Sequence, residues 1–351
     1  MRRLIRAGSL TAWRGWQAKA PAPPGPKSFD GYVGQALSPA NPAGATLRPR
    51  LRRVAALAAL AAVAAVYAQQ QTAAKVVVCY ASVIDKAGHL VTGLPKSAFH
   101  VTEDGTPQEI KVLKAEDIPV AMGLVIDNSG SMRDKRAKVE AASLALVKDS
   151  NPEDEVFVVN FNDEAYLDLP PGMNFTNDID VLKHALARID SRGGTAMRDA
   201  IAHSIEHLKE HASRDKKVLV VVTDGNDNSS LIALENVVEA SQQAGILIYS
   251  VGLLTGEGRL AAGEARKALN ALAESTGASA FFPKGLADVD RIAHQVADDI
   301  RNQYTIEYTP TNTRMNGELR AIKISVNAPG KPTVRTRPGY RAADSAVRRG
   351  R

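Results

Sequence analysis

Cysteine is nearly absent from the sequence, in which Cys79 is the single thiol among 351 residues. One cysteine excludes a disulfide within the chain and a metal site built from cysteines. Because Cys79 lies in an apolar run, we expect it to be a small buried side chain. The glycine-rich stretch 252–263 lacks the Lys-Ser/Thr pair of a phosphate-binding loop. These absences leave oxygen-bearing side chains as the main candidates for a functional site.

An excess of positive charge is missing from most of the chain, although the formal net charge is +6. Residues 1–53 contain ten basic residues and one acid, Asp30. After Arg53 there are 34 basic and 37 acidic residues, a formal charge of −3. The sequence therefore predicts no nucleic-acid-binding surface on the folded part.

A membrane-length apolar run is also missing, since the run at residues 54–67 is too short and too rich in alanine for a comfortable span. Arginines precede this run, and Val66-Tyr67-Ala68 places small residues where signal peptidase reads. We interpret residues 51–68 as a signal peptide or an N-terminal anchor, and residues 1–50 as a disordered extension. The protein is then exported, to the periplasm, the cell surface or the medium. An uncleaved segment would be its expected contact with the membrane.

Residues 75–118 and 303–341 predict β structure at both ends of the folded part. The early strands are Val76–Ile84, Phe99–Glu103 and Gln108–Leu113, and the late ones are Tyr304–Tyr308, Leu319–Val326 and Thr333–Arg337. Each set is too small to fold alone. We therefore expect a small β-sandwich built from both flanks, followed by a disordered tail at residues 342–351.

Between these flanks, residues 119–302 alternate between strand and helix patterns. The predicted strands are Val120–Ile126, Glu155–Phe161, Val218–Thr223, Ile246–Val251 and Ala278–Phe282. The predicted helices are Lys135–Lys148, Ile179–Asp190, Ala196–Ala212, Ile232–Gln243, Glu264–Thr276 and Val289–Gln303. The alternation is typical of an α/β fold with a doubly wound, mostly parallel sheet. This α/β domain would be inserted into the β-sandwich.

Oxygen-bearing side chains occur in three loops of the predicted α/β domain. The first loop contains Asp127, Ser129 and Ser131, the second contains Thr195, and the third contains Asp224. We expect all three to be strand-end loops, which a parallel sheet brings to one edge. Hard oxygen donors of this kind suit Mg²⁺, and alternatively Mn²⁺ or Ca²⁺. Two carboxylates would balance a divalent cation and leave one coordination position open.

Two further acids lie in loops near the same predicted edge. Asp163 and Asp227 are candidate accessory residues that would tune the site or bind a second ion. The alternative is that both are exposed turn residues.

The three-loop pattern resembles the von Willebrand factor type A (VWA) domain. The metal-ion-dependent adhesion site (MIDAS) of that family is Asp-x-Ser-x-Ser with a distant Thr and Asp, and the resemblance covers residues 120–300. It implies that the five residues hold a metal ion and that a partner protein's Asp or Glu carboxylate fills the open position. The family can also couple partner binding to a movement of the last helix, here 289–303. The flanks resemble bacterial exported VWFA-related proteins, for example in Arg337-Pro338-Gly339-Tyr340.

Two other classes of function stay open at this point. A metal-dependent hydrolase would use the ion as a Lewis acid. Against an enzyme, the three loops lack a His or Lys to act as general base, and no Gly-x-Ser-x-Gly surrounds the serines. A structural envelope component would use the sandwich as its main interface and the metal only secondarily. We expect no enzyme activity.

A His-x-x-Glu-His pattern occurs twice in one predicted helix. It involves His203, His207 and His211, and it matches the pattern of inverted zinc peptidases. On a helical projection the three histidines fall beside the apolar stripe. We therefore expect a solvated polar face, and alternatively adventitious metal binding.

Overall fold

The computed structural model describes residues 75–187, 191–342 and 348–349. The predictions for residues 1–50 and 51–68, and most of the predicted tail 342–351, lie outside the described residues. Among the helices that are described, none has the length and apolar character needed to cross a membrane.

The described residues form strands at both flanks and an alternation of strands and helices between them, as the sequence predicts. The strands are, in chain order, β1 (Lys75–Ile84), β2 (Phe99–Glu103), β3 (Thr106–Gln108), β4 (Ile110–Lys114), β5 (Val120–Asp127), β6 (Glu155–Phe161), β7 (Ala165–Leu167), β8 (Lys216–Thr223), β9 (Ile246–Gly252), β10 (Ala280–Phe281), β11 (Tyr304–Tyr308), β12 (Leu319–Val326), β13 (Thr333–Arg335), β14 (Gly339–Arg341) and β15 (Arg348–Arg349). The α-helices are α1 (Arg136–Asp149), α2 (Ile179–Leu186), α3 (Met197–His211), α4 (Leu234–Ala244), α5 (Arg259–Thr276) and α6 (Val289–Arg301).

The central sheet has the order β10-β9-β8-β5-β6-β7. Its neighbouring strands are parallel except for β6 and β7, which are antiparallel. Every residue of β5 is buried. Since successive side chains of a strand point to opposite faces, helices must cover both faces of the sheet. The predicted doubly wound, mostly parallel α/β fold is confirmed.

The strand register decides which loops meet. In the parallel pair β5 and β8, Ile126 lies beside Val222. The next residues, Asp127 and Thr223, are therefore neighbours at the carboxyl ends of adjacent strands. Both are fully buried. This edge of the sheet is the place where the predicted site must be built.

The flanking strands form two antiparallel sheets. One has the order β13-β1-β11-β4, with β15 also paired to β1, and the other has the order β14-β12-β2-β3. Each sheet joins early and late strands of the chain, as in the pairs Cys79–Ile306 and Val101–Ile324. Cys79 is fully buried in the core between them, as expected. Strands β7, β14 and β15 are additions that the sequence patterns did not indicate. The predicted strand Gln108–Leu113 is divided between β3 and β4, which lie in different sheets.

A buried polar cluster fixes α6 to the flanking sheets. The Asp299 carboxylate accepts hydrogen bonds from Ser82 Oγ and Tyr249 OH, each at 2.7 Å, and is ion-paired with Arg335. Nearby, Lys216 Nζ donates to the carbonyl oxygen of Ile300 at 2.5 Å. The last helix is therefore held at its carboxyl end by groups from β1, β8, β9 and β13.

Two helix boundaries differ clearly from their predictions. Helix α2 ends at Leu186, whereas the sequence predicted Asp190. Helix α5 begins at Arg259, whereas the sequence predicted Glu264. Gly258 is the extended residue before the first turn, and Gly263 lies inside the helix with open space around its α-carbon. The glycines had suggested a loop, but an exposed glycine is tolerated within a helix.

Candidate metal centre

Strand β5 ends in Asp127, whose carboxylate is held in place by hydrogen bonds within the protein. Asp127 Oδ1 accepts a hydrogen bond from the backbone N–H of Ser129 at 2.8 Å. Its other oxygen, Oδ2, accepts one from Thr223 Oγ1 at 2.6 Å. The first contact is the Asx type of turn, in which a side chain bonds its own backbone two residues on. The chain therefore turns sharply after the strand, and a 3-10 turn follows at Gly130–Met132.

The two serines connect this turn to the second carboxylate. The oxygens Ser129 Oγ and Ser131 Oγ lie 3.2 Å apart. Ser131 Oγ donates to Asp224 Oδ1 at 2.8 Å. Four of the five predicted ligands are thus joined by contacts between the first loop and the loop that follows β8. Asp224 is fully buried, whereas Ser131 is exposed and marks the open side of the site.

Thr195 reaches the same edge by a different route from the one predicted. It does not follow a strand, because its loop connects α2 to α3. Backbone contacts hold this loop in place: Gly130 N–H donates to Gly193 O at 3.4 Å, and the Thr195 carbonyl accepts from Asn228 N–H at 3.1 Å. Asn228 also accepts from Thr195 N–H through its side chain, at 2.9 Å. The loop is therefore docked against both of the others.

The electrostatics of the site favour a cation. Burial raises the pKa of Asp127 to about 6, opposed by the hydrogen bonds from Thr223 and Ser129, and the charge of Asp224 adds to the rise. Two carboxylates that face each other in a buried site repel unless a positive group lies between or beside them. The ammonium of Lys135 is ion-paired with Asp224 and supplies one such charge.

The donor set fits a hard divalent cation. In the described part of the chain, no group of three or more His, Cys, Asp and Glu residues converges on one point. The converging groups are instead carboxylates and hydroxyls, which suit Mg²⁺, Mn²⁺ or Ca²⁺. The Lys135 ammonium on Asp224 shows that this carboxylate accepts a cation.

The two candidate accessory acids hold the loops together. Asp163 Oδ1 accepts from Gly194 N–H at 2.8 Å, and a Cβ atom on Gly193 would collide with the same carboxylate. Asp227 accepts from the backbone N–H of Arg198 at 2.8 Å and from Ser230 Oγ at 2.7 Å. Burial acts to raise the pKa of Asp227, but the hydrogen bonds from Arg198 and Ser230 outweigh it and leave the pKa lowered. These contacts support the turn interpretation, but only Asp163 is exposed, because the side chain of Asp227 is 6% exposed.

Three residues of this region were not predicted from sequence. Thr223 orients Asp127, and Lys135 reaches Asp224 from the residue before α1. The three loops themselves contain no lysine, but Lys135 reaches the site from just beyond the first loop. Arg136 is the third residue: its guanidinium donates to Leu186 O at 2.6 Å and to Asn160 Oδ1 at 3.1 Å, beneath the turn. The sequence signal for Arg136 was only its position as the charged first residue of α1.

The histidine pattern of α3 is partly buried, contrary to the prediction of a solvated face. His203 and His211 are exposed, but His207 is 7% exposed and packs on Phe157 and Phe175, with ring centroids 4.5 and 5.1 Å away. Its Nε2 lies 2.9 Å from the Asn174 carbonyl oxygen. The segment that contains Phe175 covers a flank of the helix that the apolar stripe alone did not reach.

Comparison with known proteins identifies a family for the central domain. The family model described as von Willebrand factor type A domain matches residues 122–295. No curated protein matches the sequence.

Similar solved structures come from several organisms. A von Willebrand factor type A protein from Catenulispora acidiphila is 16% identical, with 75% of this chain and 72% of that chain covered and a TM-score of 0.46. Proximal thread matrix protein 1 from the mussel byssus is 19% identical, with 55% of this chain and 49% of that chain covered and a TM-score of 0.44. This chain thus spans about half the length of the mussel protein, which has also been solved with a zinc-occupied MIDAS motif.

The match of the family model coincides with the central sheet and its helices. It begins within β5, which carries Asp127, and ends within α6. The predicted resemblance is confirmed by this match. Residues 122–295 of this chain are therefore a von Willebrand factor type A domain.

Proposed function

We propose that the chain is an exported, non-enzymatic module that binds a partner protein through a divalent cation. The residues that would hold the cation are Asp127, Ser129, Ser131, Thr195 and Asp224. The observation that carries the proposal is the chain of contacts from Ser129 through Ser131 to Asp224, at the edge where Asp127 ends β5. These residues bring two carboxylates together on a rigid sheet.

The carboxylates and the hydroxyls have different roles in binding. The buried carboxylates of Asp127 and Asp224 supply the negative charge, and neighbouring groups already fix their orientation. The exposed Ser131 marks the side from which a partner can approach. A bound Mg²⁺, Mn²⁺ or Ca²⁺ would supply a Lewis-acidic contact for an Asp or Glu carboxylate of the partner. Such a charge-assisted contact is strong where the interface excludes water.

The N-terminal sequence supports export. Residues 51–68 combine arginines, an apolar run and small residues at the predicted cleavage positions. The flank motifs that resemble bacterial exported VWFA-related proteins agree with this interpretation. The module would then act in the periplasm, at the cell surface or in the medium.

Metal binding is the first experiment. Titration calorimetry of the purified protein with MgCl₂ and MnCl₂ is expected to give one site, which Ser131→Ala and Asp224→Asn weaken strongly. Asp134→Asn is the matched control, because Asp134 is an exposed acid three residues after Ser131. Circular dichroism would show whether each variant is folded. Unchanged metal affinity in a folded Asp224→Asn variant would contradict the proposed ligand set.

Partner binding is the second experiment. The protein is immobilised with Mg²⁺, exposed to an envelope extract and eluted with a chelator. We expect a protein that the wild-type chain and Asp134→Asn retain and that Ser131→Ala does not. A protein retained at full strength in the presence of chelator would rule out a metal bridge. Metal-dependent turnover in a parallel screen of hydrolytic substrates would instead favour the enzyme alternative.

A further inference from the structure

Lys135 makes a direct contact with the inner carboxylate of the candidate metal centre. Its ammonium is ion-paired with Asp224 Oδ2, and the other oxygen of that carboxylate accepts from Ser131. The side chain of Asp224 is fully buried, and that of Lys135 is 21% exposed. Both oxygens of Asp224 are therefore engaged, one by a hydroxyl and one by a cation.

Helix stability does not explain why a lysine stands at this position. Lys135 is the residue immediately before the first turn of α1, and that turn contains no acidic residue. The amino end of a helix carries a partial positive charge, so a cation there is unfavourable by a few tenths of a kcal/mol to about 1 kcal/mol. The carboxylate of Asp224 is the group in contact that can offset this effect.

The backbone fixes where the Lys135 side chain starts. The N–H of Lys135 donates to Met132 O at 2.9 Å, which continues the turn that places Ser131. The position of Lys135 is thus determined by the same turn that carries the predicted ligand Ser131. Its position does not depend on a separate flexible segment.

A divalent cation at this centre would need the same carboxylate. Asp224 is one of the two carboxylates that balance such an ion, and its Oδ2 is engaged by the ammonium. Two cations in contact with one carboxylate, inside a buried site, would repel strongly. One of them must then move away from Asp224.

We propose that Lys135 is a built-in cation that neutralises Asp224 in the metal-free protein and competes with the divalent cation for it. The proposal rests on the proposed function of the site, and it deepens that function by naming the residue that sets the metal affinity. Lys135 then has two effects. It stabilises the empty centre against repulsion between its carboxylates, and it raises the metal concentration needed to fill the centre.

The test compares Lys135→Met with Lys138→Met. Lys138 lies one turn further along α1 and is ion-paired with Asp290 of α6, away from the predicted ligands. It is therefore a matched control for removing one ion-paired lysine from this helix. Lys135→Arg is a second variant, which keeps the positive charge.

The primary readout is calorimetric titration with MgCl₂ and MnCl₂ alone. Lys135→Met is expected to bind the metal about tenfold to a hundredfold more tightly than wild type, the range set by a hydrogen bond to a charged group. Lys135→Arg and Lys138→Met should stay close to wild type. The second readout is thermal unfolding: metal-free Lys135→Met should melt below wild type, and saturating metal should remove that difference.

The outcomes separate this proposal from the proposed function. Equal or weaker metal affinity in Lys135→Met than in wild type would overturn the competition and leave the metal centre intact. Metal binding by Lys135→Met alone, with none by wild type, would support the competition in its strongest form. Failure of every variant to bind either metal would overturn both proposals.

Discussion

The hydroxyl of Thr223 donates a hydrogen bond to Oδ2 of Asp127, with 2.6 Å between the two oxygens. The two residues end adjacent parallel strands, and both are fully buried. The carboxylate that heads the Asp-x-Ser-x-Ser loop is therefore oriented from the neighbouring strand. Because its other oxygen accepts from Ser129 N–H, Asp127 is fixed on both sides.

Replacing Thr223 should therefore disturb the site through Asp127. Thr223→Val keeps the shape of the side chain but removes the donor, and an unsatisfied buried acceptor costs about 1–3 kcal/mol. We expect the free energy of unfolding to fall by that amount and Mg²⁺ affinity to fall with it, measured by urea denaturation and calorimetry. Thr223→Ser, which retains the hydroxyl, should stay close to wild type in metal affinity. Wild-type behaviour of Thr223→Val would show that the hydrogen bond is not needed.

Gly123 in the middle of β5 is required by packing. A Cβ atom there would lie 2.4 Å from Phe157 Cζ and 2.6 Å from Leu219 Cδ2, on the two neighbouring strands. We expect Gly123→Ala to destabilise the fold by about 1–3 kcal/mol, as overpacked cores do. Gly263→Ala is the control: Gly263 is an exposed helical residue with open space around it, and alanine there should stabilise by about 0.5–1 kcal/mol. Urea melts that gave both variants the same sign would refute this explanation.

The buried carboxylate of Asp299 should contribute more to the free energy of unfolding than the exposed carboxylate of Asp298. Asp299→Asn weakens the ion pair with Arg335 and the hydrogen bonds from Ser82 and Tyr249, so we expect a loss of about 1–3 kcal/mol in unfolding free energy. Asp298→Asn alters an exposed side chain and should change stability by less than about 0.5 kcal/mol. Amide hydrogen exchange should also rise in α6 of the first variant. Equal losses in the two variants would show that the cluster adds nothing.

The ammonium of Lys216 should make stability depend on pH. Burial lowers the pKa of Lys216 from 10.5 to about 8, partly offset by the charges of Asp299, Asp117 and Asp154. Between these two values the unfolded chain holds a proton that the folded chain has released, so the free energy of unfolding rises with pH, by up to about 1.4 kcal/mol per unit. In Lys216→Met this contribution is absent. The wild-type value minus the variant value should therefore grow from pH 8 to pH 9, and a flat difference would contradict the shift.

The strands were predictable because strands that are buried on both faces appear in the sequence as continuous apolar runs, and the family was predictable from the Asp-x-Ser-x-Ser motif that follows one of them. Residues 120–126 of β5 and 218–222 of β8 carry no polar side chain, since helices cover both faces, and such runs have few other interpretations. The acid that closes the β5 run stands out for the same reason. Thr195 was assigned to this edge on the expectation that its loop follows a strand, whereas the loop follows a helix and is held by backbone contacts that no side-chain pattern reveals.

The supporting residues could not be predicted because their partners are distant in the chain. Thr223 looks like an ordinary strand end, and its role depends on the register of β8 against β5. Lys135 looks like a solvated residue at a helix start until Asp224 is placed beside it. His207 was assigned to the surface because nothing in its own helix indicates that Phe175 covers it. In each case the missing information is a contact between separate segments.

The pairing of β1 with β11 has a consequence for how the chain is made. Cys79 and its strand leave the ribosome before the whole VWA domain, and Ile306, its partner, follows that domain. The apolar face of β1 therefore stays exposed to solvent while the intervening residues are synthesised. A nascent chain arrested before Tyr304 would hold the residues of the VWA domain beside an unprotected strand, a state prone to aggregation or to capture by a chaperone.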